Sequence, residues 1–269
     1  MTEQTSALQQ VALSDGVREA IMRFVFALAQ TTQFRAFEQA SEALDADPSA
    51  QQAIAALQAA QERLQVMVAL NNLTEPEQIE FRRLEEACFE HSAIAAYIEA
   101  QQDLVKVATA AVDRLSERLE IDYAAACGAS CGCGGACGAA PADVDSRDGA
   151  VASLLDAAQG LGDALLRAGP LQEYRLTKSN LNTDAQACDL LQRVADASAK
   201  IRLGQAHGDV RREDLATLRS LQEQLRRNRA FQALTEAQQA MTVYLRAVNQ
   251  TITELLGFDW ITLVQSRTC

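Results

Sequence analysis

The chain has 269 residues, a formal net charge of −12 and 48% hydrophobic residues. That is enough for one large or two ordinary domains with a sizeable core, and the acidic total argues against nucleic-acid binding driven by overall charge. Aromatics at 5%, four prolines and thirteen glycines leave a composition that favours helix throughout.

The first twenty residues are polar and hold no apolar core segment, so no secretory signal is expected. The stretch from Ile21 to Ala29 is short and interrupted by Arg23, so it is not read as a membrane span. A cytoplasmic protein is expected, where clustered cysteines are metal or redox groups rather than disulfides.

Ser14 can cap a first helix whose buried face is Val17, Ile21, Phe24, Val25 and Leu28. Thr31-Thr32-Gln33 interrupts it, and Phe34, Phe37 and Leu44 continue an apolar stripe. Asp47-Pro48 pairs an N-cap with proline at the first helical position, and Ile54, Leu57, Leu64, Met67 and Val68 form the next face. Asn71-Asn72 marks a turn, and Thr74 with Glu77 resembles a capping box that opens a further helix. Ser92 opens a long helix through Ile94, Tyr97, Ile98, Leu104, Val105, Val112, Leu115 and Leu119. About four helical segments are expected here.

Next comes Cys-x3-Cys-x-Cys-x3-Cys, at Cys127, Cys131, Cys133 and Cys137, on a backbone of glycine, alanine and serine. Four of the seven cysteines fall within this run. Thiolates are soft ligands for iron–sulfur clusters, zinc and Cu(I), and small neighbours let a loop wrap its sulfurs around one centre. Spacing alone leaves the ligand set open. The four thiolates can close a site by themselves, or three bind while Cys269 or a partner supplies the fourth. Cys131 and Cys133, as a Cys-x-Cys pair, also suit zinc or Cu(I). An inert linker is the bland alternative, against which stands the reactivity of exposed thiols.

Beyond this segment the plan repeats. Gly169-Pro170 is read as a helix stop, Asn182 or Thr183 as the next cap, and Gly204 to Asp209 as the next turn. The last helix carries Phe231, Leu234, Met241, Leu245, Ile252 and Leu256. An offset of 137 residues aligns Glu99-Ala100-Gln101-Gln102 with Glu236-Ala237-Gln238-Gln239, Leu44 with Leu181, Asp47 with Asp184, Leu64 with Ile201, and Tyr123 with Trp260, without a gap. Apolar registry over such a span marks a duplicated unit. The expected fold is all-α: two tandem antiparallel helical bundles, at 1–126 and 149–269, joined by the Gly/Cys-rich residues 127–148. The two copies are expected to pack as a pseudo-dimer within one chain.

Each copy resembles the YlbF/YmcA family (Com_YlbF) of small helical bacterial proteins. The residues that carry the resemblance are Asp47-Pro48-Ser49-Ala50, the glutamine-rich helix around Glu99 to Gln102, and the cysteine tail from Cys127 to Cys137 after the last helix. It spans nearly the whole chain as two domains. The resemblance implies a non-enzymatic regulator that works with a YaaT-like protein and the ribonuclease Y machinery. It also implies a [4Fe-4S] cluster, and a cysteine near the C-terminus, here Cys269.

Other residues carry weaker signals. Cys88 and Cys188 fall inside helical segments and read as small buried hydrophobes. His91 and His207 fall at turns without ligand partners, and read as surface or capping residues. Arg226, Arg227 and Arg229 make the second copy locally basic. They are read as a solvated helix end, or else as a contact for RNA or an acidic partner. No metalloprotease, phosphate-loop or nucleophile motif occurs, and Gly160-Leu161-Gly162 is too short for a nucleotide site. The expected function is a cytosolic adaptor that binds an iron–sulfur cluster and docks partners. The alternatives are a zinc or copper handling protein and a metal-free scaffold.

Overall fold

A computed structural model describes residues 12–127 and 148–265. Among these residues the structure is all helix. The first repeat contributes α1 (Asp15–Ala29), α2 (Thr32–Asp45), α3 (Pro48–Ala69), α4 (Glu75–Phe89), α5 (Ser92–Leu119) and the short α6 (Tyr123–Ala126). The second contributes α7 (Gly149–Leu166), α8 (Gly169–Thr183), α9 (Ala185–His207), α10 (Arg212–Arg227), α11 (Arg229–Leu256) and α12 (Trp260–Gln265). From the second helix of each repeat onward, every start in one repeat lies 137 residues from its counterpart in the other.

The caps explain these starts. The buried Thr31 hydroxyl accepts from the Phe34 N–H at 3.2 Å and donates to the Leu28 carbonyl at 2.7 Å, ending α1 and opening α2. Asp47 accepts from the N–H groups of Ser49 and Ala50, and Pro48 occupies the first helical position. The Glu77 carboxylate accepts from the Thr74 N–H at 3.0 Å and the Thr74 hydroxyl at 2.7 Å, so the expected capping box is present. Two helix ends use a left-handed residue at matching places in each repeat. Asn71 (φ 55°) corresponds to Gly208 (φ 72°), and Glu120 (φ 57°) to Gly257 (φ 79°). Around Asn71, Gly208 and Glu120 the next N–H reaches back five residues, as Asn72 N–H to Met67 (2.9 Å), Asp209 to Gly204 (2.8 Å) and Ile121 to Ser116 (3.2 Å). This is the Schellman ending that satisfies otherwise orphaned carbonyls.

Several local expectations are corrected. Among the described residues each repeat has five long helices and a short sixth rather than about four segments. Gly169-Pro170 lies in the first turn of α8, not at the end of α7, because proline needs no N–H partner there. Asp184, not Asn182 or Thr183, caps α9: its carboxylate accepts from the Ala187 N–H at 2.8 Å. Gly204 lies within α9, and the turn begins at Gly208.

The described residues form two compact units, each drawing on both repeats. One takes its residues from within 1–21, 116–130 and 160–258; the other from within 22–115, 131–159 and 259–269. In the first unit, α8 packs along α11, α9 pairs with α10, and α6 of the first repeat packs on α11 of the second. Arg118 forms an ion pair with Asp163 in the same unit. In the second unit, α3 pairs with α4, and Trp260 of α12 meets Phe24 of α1 with ring centroids 5.2 Å apart. The short helices therefore cross over: Tyr123 and Trp260, equivalent by the 137-residue offset, are both fully buried against helices of the other repeat. Large aromatic side chains carry the greatest apolar area per residue, which makes them effective anchors for such short segments.

Candidate metal centre

The described part of the cysteine segment is its head, and α6 positions it. Glu120 turns the chain after α5, and the Asp122 carboxylate then accepts from the Ala125 N–H at 2.9 Å. The Tyr123 N–H donates to Ser116 Oγ at 3.1 Å. Its ring is sealed from solvent, and burial pushes its hydroxyl well above the ordinary tyrosine range, with Cys127 beside it. One turn on, Cys127 closes the helix: its N–H reaches the Tyr123 carbonyl at 3.0 Å. The half-buried Cys127 thiol donates to the Leu245 carbonyl of α11 at 3.8 Å. A carbonyl partner favours the protonated sulfur, so a metal would have to displace that proton to bind.

Cys131, Cys133, Cys137 and Cys269 lie outside the described residues. Among the described residues no group of three or more His, Cys, Asp or Glu side chains gathers around one point. A centre of three or more such ligands that uses Cys127 would therefore draw at least one of them from outside these residues.

The remaining cysteines separate. Cys88 is buried beside Leu44, Ala50 and Ile94, and burial raises its thiol above the ordinary range. Cys188 is exposed, contrary to expectation. Its neighbour Ala187 takes the inward position at 0% exposure, and Cys188 is left to donate to the Leu181 and Asn182 carbonyls at 3.6 and 3.5 Å.

Arg226 and Arg227 are exposed in the last turn of α10, where cations complement the helix dipole, and Arg229 is exposed at the start of α11. Arg227 is engaged with Glu223 of its own helix at 2.9 Å. Asn228, between them, is buried and caps α11 through the Phe231 N–H at 3.0 Å.

One polar cluster joins residues that the sequence shows only separately. Ser49 donates to Asp47 at 2.6 Å, and His91 Nε2 lies 2.9 Å from the Ser49 hydroxyl, bridging α3 to the α4–α5 turn. With the serine proton committed to Asp47, the imidazole is the donor in that contact. His91 Nδ1 is buried without a hydrogen-bond partner among the described residues. The carboxylate thus holds the serine rather than orienting the imidazole, the reverse of a nucleophilic triad. The Ser49 bond and the backbone N–H groups, with His91 nearby, hold the Asp47 carboxyl below its ordinary range. His207 ends α9 at the surface.

The family described as control of competence regulator ComK, YlbF/YmcA, matches the chain twice, over residues 17–120 and 154–256. The first residues of the two matches are 137 apart, the offset read from the repeat. No curated protein and no solved structure matches the chain. Among the described residues no helix is long and apolar enough to cross a membrane. The chain belongs to the YlbF/YmcA family of competence regulators, as a tandem form with two copies of the family domain.

Proposed function

We propose that this tandem protein is a cytoplasmic regulatory adaptor. It holds an iron–sulfur cluster, [4Fe-4S], through Cys127, Cys131, Cys133 and Cys137, with Cys269 as a further candidate ligand, and it docks protein partners on its helical faces. The observation that carries this reading is the run of four cysteines between the two family copies, with Cys127 held at the end of α6. A bound cluster supplies sensitivity to oxygen and to iron supply. The chain's own part is to anchor that segment at Tyr123 and α11, so that loss of the cluster alters the presentation of the neighbouring helices. The family resemblance favours a YaaT-like protein and the ribonuclease Y machinery as partners, with Arg226, Arg227 and Arg229 as the contact for RNA or an acidic surface.

Anaerobic purification with iron and sulfide analysis tests the cluster. Coloured protein with both elements is expected, and Cys131→Ser with Cys133→Ser should abolish the chromophore. Colourless protein lacking iron and sulfide sinks the reading. The Cys131-x-Cys133 pair gives zinc or Cu(I) a specific claim, and stoichiometric metal without sulfide in that sample would favour it.

A further inference from the structure

The α3–α4 and α9–α10 hairpins are the same element in the two repeats, finished differently. In the second, Lys200 and Asp214 pair across the hairpin at 2.6 Å. Ile201, Leu221 and Leu225 are buried along it. Gly204 lets the turn fold down so closely that a Cβ there would stand 2.7 Å from the Asp209 carbonyl oxygen.

In the first repeat the positions of Lys200, Asp214 and Gly204 are held by Arg63, Glu77 and Met67. Glu77 is turned to its own cap at Thr74. No residue of α3 after Ala50, and none of α4 before Cys88, is buried. Between the helices runs a groove of ≈ 450 Å³, with Leu64, Met67, Phe81 and Leu84 in its wall and Arg63, Glu77 and Glu80 among its lining. Val66, Val68, Leu70 and Ile79 on the same hairpin are 52–71% exposed. Exposed apolar side chains at and beside a groove with charge on its border suit the recognition of a partner.

The charge selects the occupant. The groove itself carries Arg63, Glu77 and Glu80, and the hairpin that forms it, residues 48–89, is acidic as a whole, with six glutamates and three arginines. A groove between antiparallel helices accepts a third helix that lays an apolar stripe into it. We propose that the α3–α4 groove docks a basic amphipathic helix of a partner protein, with its apolar side chains against Met67 and Phe81 and its cations against Glu80 and its neighbours. This assignment rests on the partner-docking part of the proposed function and gives it a surface. A second copy of this chain is a poorer fit, because its arginine-rich α10 commits Leu221 and Leu225 to its own hairpin. An anionic membrane would be repelled by the carboxylates.

The test uses the full chain and a labelled synthetic helix of about 18 residues, roughly five turns. Leucines recur at i, i+3, i+4 and i+7, flanked by lysines. The controls are a twin with glutamates for lysines and a twin with the leucines scrambled. Fluorescence anisotropy should show binding of the lysine peptide alone. Phe81→Ser and Glu80→Lys should each weaken it about tenfold or more, as expected for a central anchor. Leu218→Ser, the counterpart of Phe81 in the second repeat, should leave it unchanged, with thermal melts confirming that each variant folds. Equal binding of the scrambled peptide, or indifference to both groove substitutions, overturns the proposal. So does a dimer seen by light scattering that Phe81→Ser dissolves, or binding to phosphatidylglycerol vesicles that Phe81→Ser removes. Anaerobically purified protein that lacks iron and sulfide yet binds the peptide would sink the cluster reading alone; iron-loaded protein that ignores the peptide would sink this one alone.

Discussion

Asp47 does three jobs with one carboxylate: it caps α3, accepts from Ser49 and faces His91. Because these contacts lower its pKa in the folded state, its contribution to stability is present above the ordinary aspartate range, near pH 4. It is lost as pH falls through the depressed folded value. Asp47→Asn keeps a capping oxygen but removes the titration. The fall in melting temperature between about pH 5 and pH 3 should therefore be shallower in Asp47→Asn than in the parent; identical slopes would assign the acid sensitivity elsewhere. Glu120 poses a different balance. A side chain in the left-handed region costs about 1–2 kcal/mol, whereas glycine loses roughly 0.5–1 kcal/mol of backbone freedom. Its ion pair with Arg175, at 3.9 Å between exposed groups, contributes little. Relief of strain wins, and the second repeat already has Gly257 at this place. Glu120→Gly should raise stability by up to about 1 kcal/mol in urea unfolding.

Glycines within the helices separate helical propensity from packing. Gly160 lies in α7 with open space around its Cβ position, so Gly160→Ala should stabilise by up to about 1 kcal/mol. Gly204→Ala makes the same propensity gain but drives a methyl into the Asp209 backbone, which no rotamer change relieves. With overpacking worth about 1–3 kcal/mol, it should destabilise, and denaturant midpoints moving the same way for both variants would refute that packing argument. Much of the element plan was legible because capping residues declare themselves: Asp47-Pro48 and the Thr74–Glu77 box each open a helix where expected. Asn182, Thr183 and Asp184 are all capping types in a row, and only their distance from the Ala187 N–H separates them. Periodicity picked the α3 face only in part, and not its cover. Leu64 and Met67 are half-buried and Val68 is 59% exposed, since spacing tells which residues share a side and not what lies against it. Cysteine spacing picked out the candidate centre. The carbonyl that meets Cys127, 118 residues away, follows from a crossing of the repeats that no local pattern records.

At the scale of the whole chain, duplication explains more than economy of sequence. Each repeat sends its short last helix to the other, so the two copies share their cores at Tyr123 and Trp260. Helices α1, α5 and α7 each contribute residues to both compact units without a break. Unfolding one unit would cut those helices mid-run and strand their hydrogen bonds, a cost that favours a single cooperative transition. Trp260, the one tryptophan in the chain, reports on this directly. It sits at 0% exposure against Phe24, at the start of a helix capped by Asp259 through Ile261 and Thr262. Its fluorescence in urea should change at the same midpoint as helix content by circular dichroism; a separate, earlier fluorescence transition would show that the units melt independently. Trp260→Ala should lower stability by about 3–5 kcal/mol, the usual loss for a buried aromatic. Against a domain stability of roughly 5–15 kcal/mol, that is enough to move the entire circular-dichroism transition rather than only the α12 end. A small, local loss of helix would instead mean that the crossed-over helix is an ornament of the fold and not one of its supports.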